Sequence, residues 1–251
     1  MPIASILILA VATFITAFLS GIFGMAGGLI LMGVLLSIFP VSHAMVAHGV
    51  LQSVANGWRA WLLRRSIILP IFWWYLIGAS LAIALLLMIA WRPSRTIVFV
   101  LLGLVPFLVW LPKSFFHLDA VRPSHAILAG FLVTALNTFA GVAGPALDIF
   151  FVRTKLTRHQ IVATKSVTQL VAHIVKVIFW SGIAVTGMMQ QNAELLYLLL
   201  ALIPVSMLGT WGGGKVLNRL NDRSFLQWIK VLVSIIGLVY LIRAIIILIG
   251  D

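Results

Sequence analysis

GIFGMAGGLILMG, Gly21 to Gly33, sets five glycines into thirteen residues without a single charge. Glycine in a helix interior costs about 1 kcal/mol relative to alanine. In hydrocarbon, an interrupted helix also leaves backbone groups without partners. The stretch therefore asks why so apolar a chain breaks itself there. Its surroundings leave no doubt about the solvent. Of 251 residues, 63% are hydrophobic and only 9% charged, with a mean hydropathy of +1.18. A soluble domain needs far more polar residues to cover its surface. Uncharged runs such as Ile67–Trp91 and Thr96–Leu111 exceed or approach the ~20 residues that a spanning helix requires. Porin-type alternation is absent, so the chain reads as an all-α polytopic membrane protein.

Seventeen basic residues stand against five acidic ones, a formal net charge of +12. In this apolar context the basic residues are read as orienting charges in cytoplasmic loops, not as a nucleic-acid surface. The chain has no cysteine, which excludes disulfides and thiolate metal sites. The opening MPIASILILA lacks the basic n-region of a signal peptide and reads as the start of the first helix.

The glycine stretch has a second copy. Phe23–Gly28 laid over Ala140–Pro145, 117 positions on, places Gly24, Ala26 and Gly27 on Gly141, Ala143 and Gly144. The same register, without a gap, puts Gln52 on Gln169, Ala55 on Ala172, Arg59 on Lys176, His48 on Lys165 and Asn56 on His173. Coincidence of rare intramembrane polar residues marks a duplication. The chain accordingly divides into a first membrane repeat (1–112), a connecting loop (113–123) and a second repeat (124–251). The apolar segments of the first repeat are Pro2–Ser20, Leu29–Phe39, Ser42–Leu63, Ile67–Trp91 and Thr96–Leu111. Those of the second are Ser124–Asn137, Ala146–Val152, Gln160–Trp180, Glu194–Gly214 and Phe225–Ile249.

The second segment of each set is too short to cross ~30 Å of hydrocarbon at ~1.5 Å per residue. Each half then contains a glycine-broken helical hairpin plus three spanning helices, and the halves lie antiparallel. Loop charges agree: FPVSHA after the first short segment is uncharged, whereas its counterpart RTKLTRH carries Arg153, Lys155 and Arg158. Arg64 and Arg65 follow the third segment, and SGIAVTGMMQQNAE at the corresponding place has no basic residue. Lys113, Arg122, Lys215, Arg219 and Arg223 fit the same cytoplasmic side, and Arg92 and Arg95 are the exception. An inverted repeat follows.

Inverted-repeat transporters bind substrate near the midplane, at broken helices whose N-termini present unpaired N–H groups and a positive dipole end. Gly24, Gly27 and Gly28 in one half, and Gly141, Gly144 and Pro145 in the other, are the candidate backbone sites. Proline suits a first helical turn, so a helix is expected to begin at Pro145. The competing reading, small residues that only let helices pack closely, ranks second for two motifs in register. His48, Gln52, Asn56 and Arg59 are spaced 4, 4 and 3 apart, an arc of roughly 80° on one helix face. Lys165, Gln169, His173 and Lys176 repeat the spacing. Each is costly within a bilayer and should face a partner or a wet cavity. Arg59 and Lys176 lie toward the ends of their segments, where snorkelling is an equal alternative, and Gln52 and Gln169 could equally join helices. Apart from Glu194 at the very start of its segment, Asp148 is the one acid within an apolar segment. Structural pairing with Lys165 ranks ahead of proton exchange during transport. The stripes define a basic, hydrogen-bonding cavity suited to an anion.

The G-x-x-G-x-x-G-G stretch that closes the first helix, repeated half a chain later as A-G-x-x-G-P, resembles the TauE/SafE family of membrane transporters, the sulfite exporters. The resemblance covers nearly the whole chain. It implies transport of sulfite, sulfoacetate, other organosulfonates or carboxylates across a bacterial or archaeal cytoplasmic membrane, commonly outward, with protons as coupling ion. Pro145 and Ala146 depart from the stronger motif, as do Met25 and Ala26, which bears on substrate more than on family.

The expected function is a secondary transporter with alternating access, needing no cofactor or metal. Half-helix N-termini and glycine amides hold the anionic head, and Lys165 with Arg59 or Lys176 balances its charge. Gln52, Gln169, His48 and His173 supply hydrogen bonds, and His48, His173 and Asp148 are the candidates for proton coupling. An anion channel is the nearest alternative. An intramembrane enzyme ranks last: H-E-x-x-H is absent, and a Ser53–His173 pair lacks supporting motifs. GTWGGG (Gly209–Gly214) can pack helices within a chain or between two copies, which leaves a homodimer open. Trp73 and Trp74 read as an interfacial belt ahead of a gate.

Overall fold

The structure, a computed structural model, describes residues 3–23, 26–89, 91–112, 117–191, 193–217 and 222–250. All regular elements among them are helical. In chain order they are α1 (Ile3–Phe23), α2 (Ala26–Ile38), α3 (Val41–Leu62), α4 (Leu69–Ile89), α5 (Arg95–Leu104), α6 (Pro123–Ala140), α7 (Gly144–Phe151), α8 (Arg158–Gln191), α9 (Ala193–Leu217) and α10 (Asp222–Gly250). Short 3₁₀ turns follow α3 and α5.

Six helices are long and apolar enough to cross a membrane: α1, α4, α6, α8, α9 and α10. The chain is a multi-pass membrane protein. Half of the apolar window of α8 is buried, against 22% for α10. The outer faces carry Trp73, Ile77, Leu81 and Leu85 on α4, and Ile235, Leu238, Ile242 and Ile246 on α10, all exposed as lipid-facing side chains should be. Thus α8 and its neighbour α3 occupy the centre.

The expectation of three full spans after each hairpin needs correction in the first half. There α5 has ten residues and gives way at Val105 to a 3₁₀ turn containing Pro106. Proline lacks the N–H that the helical ladder uses, so the fifth segment is not one spanning helix. α3, with 22 residues, has the length but not the hydropathy, because it carries the polar stripe. A second correction concerns α8. Ser181–Glu194, read as a connection, is helical on both sides of Asn192, which lies outside the described residues. Its glycines and β-branched residues are weak helix formers, a preference that context overrides. Lys176 therefore sits in mid-helix instead of near an end.

Both short helices are present. α2 has 13 residues and α7 eight, about 20 and 12 Å at ~1.5 Å per residue. Gly24 and Met25, between α1 and α2, lie outside the described residues. α2 folds back on α1 so closely that a Cβ on Gly27 would fall on the Thr16 carbonyl and 2.8 Å from Ser20 N. In the second half α6 ends at Gly141, whose φ of +83° is the left-handed turn that glycine permits. α7 then starts at Gly144 with Pro145 in its first turn, as its missing N–H favours.

The halves are interleaved. α1 packs on α9, α6 on α4, α3 on α8 and α5 on α10. The GTWGGG run works within the chain: Gly209 lies under Phe14 and Ala17, and Gly213 meets Phe18 and Gly21 of α1. α3 and α8 run antiparallel, since His48 meets Lys176 while Gly57 meets Leu170. Arg95, the exception to the loop charges, donates from Nη2 to the Leu36 carbonyl at 2.8 Å. It neutralises the negative end of α2 instead of marking a side of the membrane.

Candidate functional site

The two breaks and the two stripes meet at the crossing of α3 and α8. His48 Nε2 lies 2.9 Å from the Gly28 carbonyl and Nδ1 lies 2.7 Å from Lys176 Nζ. A carbonyl only accepts, so Nε2 carries the hydrogen and Nδ1 accepts from the lysine. Lys176 Nζ also donates to the Gly141 carbonyl at 2.8 Å. One ammonium thus ties the α2 break, through His48, to the α6–α7 break. Lys176 is fully buried, and no carboxylate contacts it among the described residues.

Beside this tie lies a cavity of about 10 Å³, lined by Gly28, His48, Gln52, Val142, Ala143, Gly144, Gln169 and His173. That is room for one water molecule. His173 Nδ1 faces the Asn137 amide at 3.3 Å, and the His48 and His173 rings are 5.6 Å apart. An amide NH₂ donates, so His173 keeps its hydrogen on Nε2. The Gln52 and Gln169 amides make no hydrogen bond to the described residues. With the first-turn amides of α7, the wall offers several uncommitted donors. A larger hollow of about 480 Å³, lined by His117, Leu118, Asp119, Arg122 and Arg153, sits at the inter-repeat connection and holds none of the break residues.

The remaining stripe residues lie elsewhere. Asn56 is buried and donates to the Gln52 carbonyl at 2.9 Å. Arg59 is buried three turns from His48 and donates to Ser20 Oγ at 3.1 Å. Gly27 packs on α1, and Pro145 is buried in the first turn of α7 without lining the cavity. Lys165 forms an ion pair with Asp148, with side-chain exposures of 13% and 28%. The pairing reading of these two thus matches their contact, and their charges satisfy each other outside the cavity wall.

Ser20, Asn137 and Val142 were not singled out from the sequence, and Ala143 only as the counterpart of Ala26 in the repeat. A signal for two of them existed: the shift of 117 that aligns the stripes also lays Ser20 over Asn137, each a polar residue just before a break. Val142 and Ala143 contribute backbone at the break, and nothing in their side chains announces it.

For the ion pair, removing one partner should cost more than removing both. Asp148→Asn or Lys165→Met should each lower stability by about 1–3 kcal/mol, below the fully buried range because Asp148 is partly exposed. The double variant should recover part of that loss. Melting curves in detergent provide the cycle, and additive losses would mean that the pair is uncoupled.

A helical, multi-pass membrane protein with a polar cavity at two opposed helix breaks is the architecture of a membrane transporter. The model of the Sulfite exporter TauE/SafE family matches residues 9–241, nearly the whole chain, and the protein belongs to that family. No curated protein and no solved structure matched the chain.

Proposed function

We propose that the chain is a secondary transporter that moves a small oxyanion outward across a bacterial or archaeal cytoplasmic membrane. Sulfite, sulfoacetate, another organosulfonate or a carboxylate is the substrate class. The observation that carries the reading is the cavity between the halves. It is walled by uncommitted donors from Gln52, Gln169 and His173, beside the ammonium of Lys176, which no described carboxylate contacts. A buried positive charge without a counterion favours an anionic guest.

Two inverted repeats moving against each other are the proposed means of alternating access. In support, α3 and α8 are equivalent under the 117-residue shift yet run antiparallel. The helix pairs α1–α9 and α6–α4 also exchange the halves. The cavity as it stands has room for one water and not for an oxyanion, which favours a gated carrier over a channel with a continuous water path. Opening it requires the His48–Lys176–Gly141 tie to part or shift. His48, His173 and Asp148 are the proposed proton carriers, with Lys176 in contact with the first of them.

Counterflow of radiolabelled sulfite and methanesulfonate in proteoliposomes tests this. The wild type should show saturable exchange. Gln52→Ala and Gln169→Ala should each weaken it roughly tenfold or more, the effect of one hydrogen bond to a charged group. Exchange that survives both substitutions unchanged would place the substrate elsewhere.

A further inference from the structure

Arg59 closes the polar stripe in the last turn of α3 and is 5% exposed. No carboxylate contacts it among the described residues. Its Nη2 donates to Ser20 Oγ, while Nε has no partner. The Nε–H and the neighbouring Nη2–H of an arginine form a fork that matches two oxygens of one carboxylate, sulfite or sulfonate, and in Arg59 the Nε–H of that fork is unoccupied.

These groups do not belong to the central cavity, whose lining includes Gln52 and stops there on α3. Seven residues separate Gln52 from Arg59, about 10 Å at ~1.5 Å per residue, and eleven separate His48 from it, about 16 Å. Arg59 is absent from that lining and lies about two helical turns from Gln52. On the other side of Arg59 the chain leaves the helix through Arg64 and Arg65, both exposed. Positive charge therefore runs from one surface inward to a buried guanidinium with an open edge.

We propose that Arg59 and Ser20 form a second oxyanion station, separate from the central cavity. It receives the head group of sulfite or a sulfonate from the Arg64–Arg65 face and passes it toward Gln52 and Gln169. This rests on the anion-transport reading and adds an order to it: surface arginines, Arg59 station, central cavity. Ser20 holds the guanidinium in place and accepts from it, and the anion takes the remaining edge.

Sidedness tests the station. Counterflow of radiolabelled sulfite and methanesulfonate is measured in right-side-out and inverted membrane vesicles. Arg59→Gln should raise the half-saturating concentration roughly ten- to hundredfold at the Arg64–Arg65 face and less than about threefold at the other. Gln52→Ala should raise it at both faces. Arg59→Lys keeps the charge without the fork and should fall between wild type and Arg59→Gln, which separates recognition from folding. Ser20→Ala should shift the same face in the same direction. Unchanged affinity in Arg59→Gln, or an equal rise at both faces, would overturn the second station and leave the transporter reading intact. Wild-type vesicles without counterflow of either anion would overturn that reading itself.

Discussion

Lys176→Met is expected to remove transport while leaving the fold in place. Two opposed quantities decide this. The substitution deletes hydrogen bonds to His48 and Gly141, each worth about 1.5–3 kcal/mol when charge-assisted. It also removes a buried ammonium whose desolvation costs several kcal/mol. These nearly cancel, so the melting temperature in detergent should move by only a few degrees. Transport has no such compensation. An oxyanion that enters beside His48 loses its nearest positive charge, and counterflow should fall more than about a hundredfold, close to 3 kcal/mol. Lys176→Arg should not restore it. Lys176 places a compact ammonium 2.7 Å from His48 Nδ1 and 2.8 Å from the Gly141 carbonyl, and a longer, planar guanidinium does not reproduce that point charge. Wild-type exchange by Lys176→Met would make the lysine a structural tie only.

The adjacent glycines of the first break should separate folding from binding. Gly27→Ala puts a methyl onto the backbone of Thr16, where no side chain can yield. α1 and α2 would have to part, a cost beyond the ~1–3 kcal/mol of ordinary overpacking. Little folded protein should survive extraction into detergent. At Gly28 the nearest atoms to an added Cβ are side-chain atoms of Gln52 and His48, all at 3.6 Å. That is normal contact, so Gly28→Ala should fold and elute as the wild type does. Its methyl narrows a cavity of about 10 Å³, however, and counterflow should drop at least tenfold. Equal yields for the two variants, judged by size-exclusion chromatography, would contradict the close crossing of α1 and α2.

Much of this arrangement is legible in the residues. The cost of polar groups in hydrocarbon is local, so length and hydropathy identify α1, α4, α6, α8, α9 and α10 directly. The breaks are legible for the same reason, since Gly141 and Pro145 state their backbone preferences within one turn. Pro106, which ends the fifth segment as a span, carried a local signal that the apolar run obscured. The far end of α8 had no such signal. There a weak helix preference gives way to the context of a long helix, which a window of sequence does not contain.

Periodicity determined that His48, Gln52, Asn56 and Arg59 share one helix face, and that Lys165, Gln169, His173 and Lys176 share another. A face does not name the residue opposite it. That depends on the direction and offset of two helices, which α3 and α8 settle where Gly49 lets the chain near His173 and Lys176 come close. Only this antiparallel crossing brings Lys176 to His48 and both breaks, leaves Lys165 to Asp148, and isolates Arg59 on Ser20. Polarity and period are properties of one segment. The pairing of charges belongs to the packing of two, and tertiary structure alone decides it.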